Sequence, residues 1–460
     1  MKLSLSKLAI VTDGTLVSTD AIVHNMGIDA RTLKDKSLFI AIRGEQWDGH
    51  DFVLQAKAAG ATALLVDHPV DCDLPQLIVT NTKLALGLIA GFLRREYTLP
   101  VIAITGSCGK TTTKSLIASV LSQKGSVLAT QGTLNNDIGV PLTLLQLKPK
   151  HDFAVIEMGA NHPQEIAYLT QMVKPTIGVI TNAAPVHLEG FGSLQGVANA
   201  KAELYQHLLV DGLAILNIDD AQQMYWRSVI GARAYLTFGL NPSADVSASE
   251  VRLDNGGHLH FQLHHAGESY PIQLPLLGLH NIHNALAAAA VGFSSGLSMK
   301  HVRKGLEKVD HLPKRMNRFK GIHDSTLIDD SYNANPTAFK VAIKLLMQLK
   351  TTNDALLIMG DMAELGAQAH EFHAEIGLFA KNAGLSQLLT VGPLSAAAAN
   401  AFGDGALHFE HQEQLIAHAQ QNLKVGSTIL IKGSRSARME NIVTALTEPF
   451  TSRDPLHVHH

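Results

Sequence analysis

The chain carries 37 lysines and arginines against 40 aspartates and glutamates over 460 residues, a formal net charge of −3. That balance excludes the basic footprint of a nucleic-acid or anionic-membrane binder, and the length exceeds what one hydrophobic core serves, so about two to three domains are expected. Two cysteines, Cys72 and Cys108, exclude a disulfide framework, and no apolar run is long enough for a membrane span or a signal peptide, so a cytoplasmic protein without membrane insertion is expected.

Residues 1–82 read as a small α/β unit. Stretches 37–42 and 61–66 are strand-like and flank a helical pattern at 51–59, and 76–80 offers a further strand. The polar loop RGEQWDGHDF at 43–52 reads equally as a turn or as a ligand rim.

From 83 to 311 strand and helix alternate, with candidate strands at 101–105, 126–129, 153–158, 176–181, 213–218 and 234–239. Such alternation argues for a parallel sheet covered on both faces. Residues 245–275 break it with short alternating strands, an antiparallel edge, and an alanine-rich helix follows at GLHNIHNALAAAA. From 312 to 460 STLIDDS, ALLIMG, QLLTVG and TILIKG form a second doubly wound pattern. Ligands in such sheets sit beyond the carboxyl ends of the strands, so DDSYNANP, GDMAELG and KGSRS fall on one rim. The fold class is α/β in three domains: a small N-terminal α/β domain (1–82), a central P-loop parallel-sheet ATPase domain (83–311) and a C-terminal Rossmann-like domain (312–460).

The strongest chemical signal is VIAITGSCGKTTTK at 101–114. It reads strand, glycine loop, helix. Gly106, Ser107, Cys108 and Gly109 would fold round the phosphates of a nucleotide. A helix starting at Lys110 would present its free N–H groups, its ammonium and the hydroxyls of Thr111 and Thr112, with Thr111 suited to Mg²⁺. The full P-loop pattern needs glycine at position 104, where Ile104 stands. An ordinary turn is outweighed by the coincidence of apolar strand, two glycines, lysine and three threonines. A GTPase switch would carry N-K-x-D, which the chain lacks.

ATP chemistry needs Mg²⁺, and Mg²⁺ needs oxygen ligands near the phosphates. Glu157, ending the strand at 153–158, is the simplest one. Taken singly, Glu157, His187 and Lys201 also read as a helix cap, a loop histidine and a lysine on a solvated face. A free lysine ammonium cannot ligate a cation. Asn135 and Asn136, in QGTLNNDIGVPLTLL, offer hydrogen bonds to a polar ligand.

GSCGKTT, TLNNDIGVP, VIEMGANH, NAAPVHLEGFGS, AKAE, GLHNIHNALAA, DDSYNANP, GDMAELG and KGSRS occur in the order found in the Mur ligases, which the chain resembles over nearly its whole length. The loop, the HN-x-x-N stretch and the lysine are shared with folylpolyglutamate synthetases, so addition of a single amino acid is the alternative. DDSYNANP, LNNDIGVP and GANH resemble more closely the branch acting on UDP-N-acetylmuramoyl-tripeptide and D-alanyl-D-alanine.

The resemblance implies ATP and Mg²⁺ as cofactors, an acyl phosphate route and a monomer. It implies that Lys201 is carbamylated by CO₂ into a carboxylate-like ligand beside Glu157 and His187, with Thr111 serving a second metal and Lys110 the γ-phosphate. Asn281 and Asn284 would lie near adenine, and Arg315, Asp330, Tyr332 and Asn333 toward the ribose or γ-phosphate. Lys432 and Ser434 would line the closed cleft. Arg31, Ser37, Arg43, Gly44, Asp48 and His50 would recognise the uridine. Two departures stand out: Ala30 replaces a serine, removing a hydroxyl, and Lys314 stands where relatives commonly carry glycine. Cys108, at a variable loop position beside a helix N-terminus and a lysine, is expected to be open to alkylation and shielded by ATP.

Overall fold

The computed structural model describes residues 2–310, 312–350 and 354–448, and three larger sheets organise them. The first has five strands in the order Thr15–Val17, Gln76–Ile78, Ala61–Val66, Ser37–Ile40 and Asn25–Gly27. Its outer strand Thr15–Val17 runs antiparallel and the rest are parallel. Helix Thr82–Arg95 closes this unit. Asn81 caps it, its side-chain oxygen accepting from the N–H groups of Lys83 and Leu84.

That helix is a seam between two cores. Ala85, Leu86, Ile89 and Leu93 pack with Leu38, Leu65 and Leu77 of the first sheet, while Ala90 packs with Leu169 and Met172 of the central unit. Arg94, buried on the seam, donates from Nε to Val173 O (2.9 Å), from Nη1 to Tyr97 O (2.7 Å) and from Nη2 to Lys174 O (3.2 Å).

The central sheet has nine strands. Val127–Ala129, Phe153–Glu157, Val101–Thr105, Ile177–Ile180, Leu213–Asn217, Ala234–Gly239 and Val246–Leu253 lie side by side in parallel. His258–His265 and Glu268–Leu277 then extend the edge antiparallel. Helices Lys110–Leu121, Asn281–Ser294 and Met299–Glu307 cover one face. Glu165–Val173, Leu194–Gln206 and Gln223–Ile230 cover the other. With both faces covered, every residue of Val101–Thr105 is buried, which is why that strand is a continuous apolar run ending in one threonine.

The third sheet orders Asn317–Lys320, Thr326–Asp330, Thr428–Lys432, Ala355–Gly360, Gln387–Val391 and Ala406–Phe409. Its core takes in Leu277 from the central sheet alongside Ile328, Phe339 and Leu346. The last two units are therefore packed together.

The strands expected at 61–66, 101–105 and 234–239 appear with those bounds, and the antiparallel edge is there. The helical pattern at 51–59 is shorter: Asp48 caps a 3-10 turn at Gly49–Phe52, and the helix proper is Val53–Ala58. Thr15–Val17, Asn25–Gly27, Asn317–Lys320 and Ala406–Phe409 are additional strands, short and mostly exposed or half-buried, so they carry no apolar alternation to find. No helix among the described residues is long and apolar enough to cross a membrane.

Replacing Arg94 by methionine leaves three carbonyl acceptors on the seam without their donor. The expected loss is about 2–4 kcal/mol, read as a lower denaturation midpoint. An unchanged midpoint would show that water serves those carbonyls equally well.

Candidate functional site

The strands Val101–Thr105 and Phe153–Glu157 end at the same rim, and the glycine loop turns there. Ile104 pairs with Glu157 and Val179 inside the sheet. The strand thus continues through the position where the longer motif places its first glycine. Gly106 (φ 145°) and Gly109 (φ 80°) hold conformations that favour glycine. A Cβ on Gly106 would stand 1.9 Å from Thr181 Oγ1, and one on Gly109 2.4 Å from Asn284 Oδ1.

The loop is pinned from below. Cys108 N–H donates to Asn182 Oδ1 (2.9 Å), Thr181 Oγ1 donates to Cys108 O (2.7 Å) and Ser107 Oγ donates to Ala184 O (3.1 Å). Lys110 folds back over it, Nζ donating to Gly106 O (2.8 Å) and Ser107 O (3.4 Å). Its helix begins at Lys110, as expected.

Glu157 is 1% exposed. Its Oε1 accepts from Thr111 Oγ1 (3.2 Å) and Asn135 Nδ2 (2.9 Å), and its Oε2 lies 3.9 Å from Lys114 Nζ without a hydrogen-bond partner. Lys114 in turn donates to Thr130 O at 2.7 Å. A buried carboxylate oxygen without a hydrogen-bond partner, with a threonine hydroxyl on the same carboxylate, is suited to a divalent cation.

Lys201 is buried on helix Leu194–Gln206, its Nζ 5.0 Å from the Phe191 ring centroid. Burial, then the nearby Lys110 charge, brings its ammonium down to about 7. His187 is paired through Nδ1 with Glu364 of the third unit.

Other links cross the same way. Arg315 Nη2 donates to Thr111 Oγ1 (2.9 Å) while its guanidinium lies 3.9 Å from the Tyr332 ring centroid. Asn335 Nδ2 donates to Cys108 Sγ at 3.3 Å. Lys432 pairs with Asp330 and donates to Asn333 O at 2.9 Å. On the helix below, Asn284 Oδ1 accepts from Thr113 Oγ1 (3.1 Å) and its Nδ2 donates to Asn281 Oδ1 (2.8 Å). Lys314 stands at φ 61°, where glycine is the easier residue, and its Nζ donates to Glu440 at 3.0 Å.

Many of these groups line one cavity of about 870 Å³, and Lys201 is not among them. Ser107 to Thr112 form its floor; Asn135, Asn136, Glu157 and His187 form one wall. Asn281, Asn284 and Arg315 form another, with Asp330, Tyr332, Asn333 and Lys432 above. A floor of loop amides, a buried carboxylate and a cationic lid from a separate sheet is an arrangement for a nucleoside triphosphate and a second, acidic substrate.

Comparison with known proteins agrees along the chain. The Mur ligase family catalytic domain matches residues 22–87, the Mur ligase middle domain 104–292, and the Mur ligase glutamate ligase domain 314–435. The UDP-N-acetylmuramoyl-tripeptide–D-alanyl-D-alanine ligase of Escherichia coli K12 is 43% identical over 97% of this chain and 99% of its own. The chain belongs to the Mur ligase family. As a Mur ligase it is an ATP-dependent enzyme of amide-bond formation. Two solved structures share its fold. One, from Acinetobacter baumannii, is titled UDP-N-acetylmuramoylalanyl-D-glutamyl-2,6-diaminopimelate–D-alanyl-D-alanyl ligase (TM-score 0.85, 34% identity, 96% of this chain and 98% of that one). The other is the MurF ligase of Thermotoga maritima in complex with ADP (TM-score 0.81, 25% identity, 92% and 97%).

Not every residue named from sequence reaches the cavity of this Mur ligase. Gly106 and the buried Lys201 do not line it, and Ser434 is turned away, its Oγ donating to Asp361 O at 2.7 Å. In the first domain Ser37 is buried and donates to Lys34 O. Arg31 is exposed and paired with Asp29. Arg43, Asp48 and His50 join Asp67 in a separate network near the Gly44 turn, where Gly44 N–H donates to Trp47 O.

Sequence reasoning also missed members of the site. Lys83, Asp137 and Tyr168 line the cavity, as do His280 and Asn335. Asp137, His280 and Asn335 sit inside TLNNDIGVP, GLHNIHNALAA and DDSYNANP, which could have found them, whereas Lys83 and Tyr168 lie in no such motif.

Cys108 lies in the cavity floor, so Mg-ATP is expected to slow its alkylation severalfold, followed by mass spectrometry with Cys72 as the internal control. Equal rates with and without nucleotide would place the phosphates elsewhere.

Proposed function

We infer that this enzyme joins D-alanyl-D-alanine to the peptide carboxylate of UDP-N-acetylmuramoyl-tripeptide, driven by ATP. The observation that carries the reading is the full-length likeness to ligases of that name, at 43% identity for the Escherichia coli enzyme. The cavity supports it. Lys110 and the loop amides would hold the γ-phosphate, with Arg315 approaching from the third unit, and the peptide carboxylate attacks it to give an acyl phosphate and ADP. The neutral amine of the dipeptide then attacks the acyl carbon and phosphate leaves. The lid of third-unit side chains keeps water from the acyl phosphate.

Mg²⁺ fits the donor set. Glu157, with its unpartnered buried oxygen, and Thr111 would hold it, and when bound it supplies charge neutralisation at the phosphates. Lys201 fits carbamylation, because an amine brought down to about 7 by burial is substantially neutral near pH 7 and open to CO₂. His187 would supply a further imidazole ligand. Asn281 and Asn284 would flank adenine, Asp330, Tyr332 and Asn333 the ribose side, and Lys432 the closed cleft; Arg31, Arg43 and His50 belong to the uridine end. The domain division at 1–82, 83–311 and 312–460 is supported by the three sheets, with helix Thr82–Arg95 shared across the first boundary and residues 311 and 449–460 outside the described ones.

Phosphate release with Mg-ATP is expected to need both the tripeptide and D-alanyl-D-alanine and to yield a UDP-muramoyl-pentapeptide by mass. Release driven by a single amino acid instead would assign the chain to another ligase branch. Lys110→Ala is expected to lower kcat by at least about 10²-fold, and near-normal turnover would remove its role.

Lys201 also sets a pH dependence of stability. Its proton is held to about 7 in the fold against an ordinary 10.5, so the cost of burying the charge is full below pH 7 and is relieved as pH rises toward 10.5. In CO₂-free buffer, where the lysine carries no carbamate, Lys201→Met should melt several degrees higher than the parent at pH 6, with a smaller gain at pH 9, and should show no turnover when CO₂ is supplied. A gain that is constant with pH would mean the lysine is not buried as a cation.

A further inference from the structure

Past the phosphate loop the cavity reaches a pair of opposite charges that ATP does not need. Lys83 Nζ and Asp137 Oδ2 lie 2.7 Å apart, and both residues line the cavity. Each is aimed by a fixed helix start. Asn81 holds the first turn of Thr82–Arg95, and Asn136 Oδ1 accepts from Gly139 N–H (2.8 Å) at the start of Gly139–Leu144. A cation in the first turn opposes the helix dipole, and a half-exposed ion pair returns little stability. Local energetics therefore give no reason for lysine at this position.

We propose that Lys83 and Asp137 form the subsite for the side-chain end of the third peptide residue. They select an end that is an amino-acid zwitterion, as in 2,6-diaminopimelate, over one that is an amine alone, as in lysine. This rests on the reading above. The reacting carboxylate belongs to that third residue and must lie at the phosphate loop. Asn135, whose Nδ2 donates to Glu157, stands two residues before Asp137, so the path from the reacting centre to the pair runs along one short loop.

On binding, the internal pair opens: Asp137 takes the ligand ammonium and Lys83 its carboxylate, and every charge keeps a partner. An amine-only side chain would pair with Asp137 and gain nothing from Lys83, whereas the zwitterion gains a second, carboxylate-binding contact, which is the discriminating element. The only long reach needed is that of the lysine stem, and Lys83 comes from the helix shared between the first two units.

The test is kcat and KM for UDP-N-acetylmuramoyl-tripeptides ending in diaminopimelate or in lysine, at saturating ATP and D-alanyl-D-alanine. The parent enzyme is expected to prefer diaminopimelate. Lys83→Met should reduce that preference roughly 10-fold, chiefly through KM for the diaminopimelate peptide, and Lys83→Arg should retain it. Asp137→Asn should raise KM for both peptides. An absent preference in the parent, or an equal loss for both peptides in Lys83→Met, overturns the subsite. Absence of turnover with either tripeptide and the dipeptide is a different result, visible before any variant is compared, and overturns the parent reading along with it.

Discussion

A buried carboxylate is costly unless its surroundings compensate it, and Glu157 is the point where this molecule meets that cost. One oxygen is held by Thr111 and Asn135, and the other faces Lys114 at 3.9 Å without a hydrogen bond. Those partners come from the phosphate-loop helix and from the loop after Val127–Ala129, so two separate chain segments are drawn to one side chain. Thr111 then accepts from Arg315, which extends the same network into the third sheet. Nucleotide site, peptide-side loop and lid are thereby tied to a single charge.

The arrangement explains why the parallel sheet carries its chemistry at one end. Helix starts, glycine turns and strand ends all leave backbone groups unmade there, and the loops after Val101–Thr105, Phe153–Glu157 and Ile177–Ile180 use side chains to fill them. Asn182 and Thr181 hold the loop at Cys108 from a neighbouring strand end. The loop shape is thus set before any phosphate arrives, and binding does not have to order it.

Legibility in the sequence followed contiguity. The phosphate loop and Glu157 sit in short stretches whose composition states their chemistry, Asn284 and Arg315 are reached only through the resemblance to the Mur ligases, and the buried strands announce themselves as apolar runs. Lys201 is different: helix Leu194–Gln206 looks amphipathic enough to put a lysine outside, yet the side chain is buried against Phe191, a contact that depends on the turn at Leu188–Phe191. The Lys83–Asp137 and His187–Glu364 pairs join residues from unrelated loops, and no local pattern records them. The short outer strands of the first and third sheets are defined by their neighbours rather than by their own side chains.

The strand order of the central sheet also bears on how the chain comes into being. Val101–Thr105 is flanked by Phe153–Glu157 and Ile177–Ile180, both of which lie further along the chain. During synthesis the five-residue apolar strand beneath the phosphate loop therefore has both edges open until Phe153–Glu157 has emerged, and one edge open until Ile177–Ile180 follows, while every strand of the first sheet has already been made. Parallel pairings closed over such spans form slowly, and the unpaired edge is the kind of surface that holdases cover.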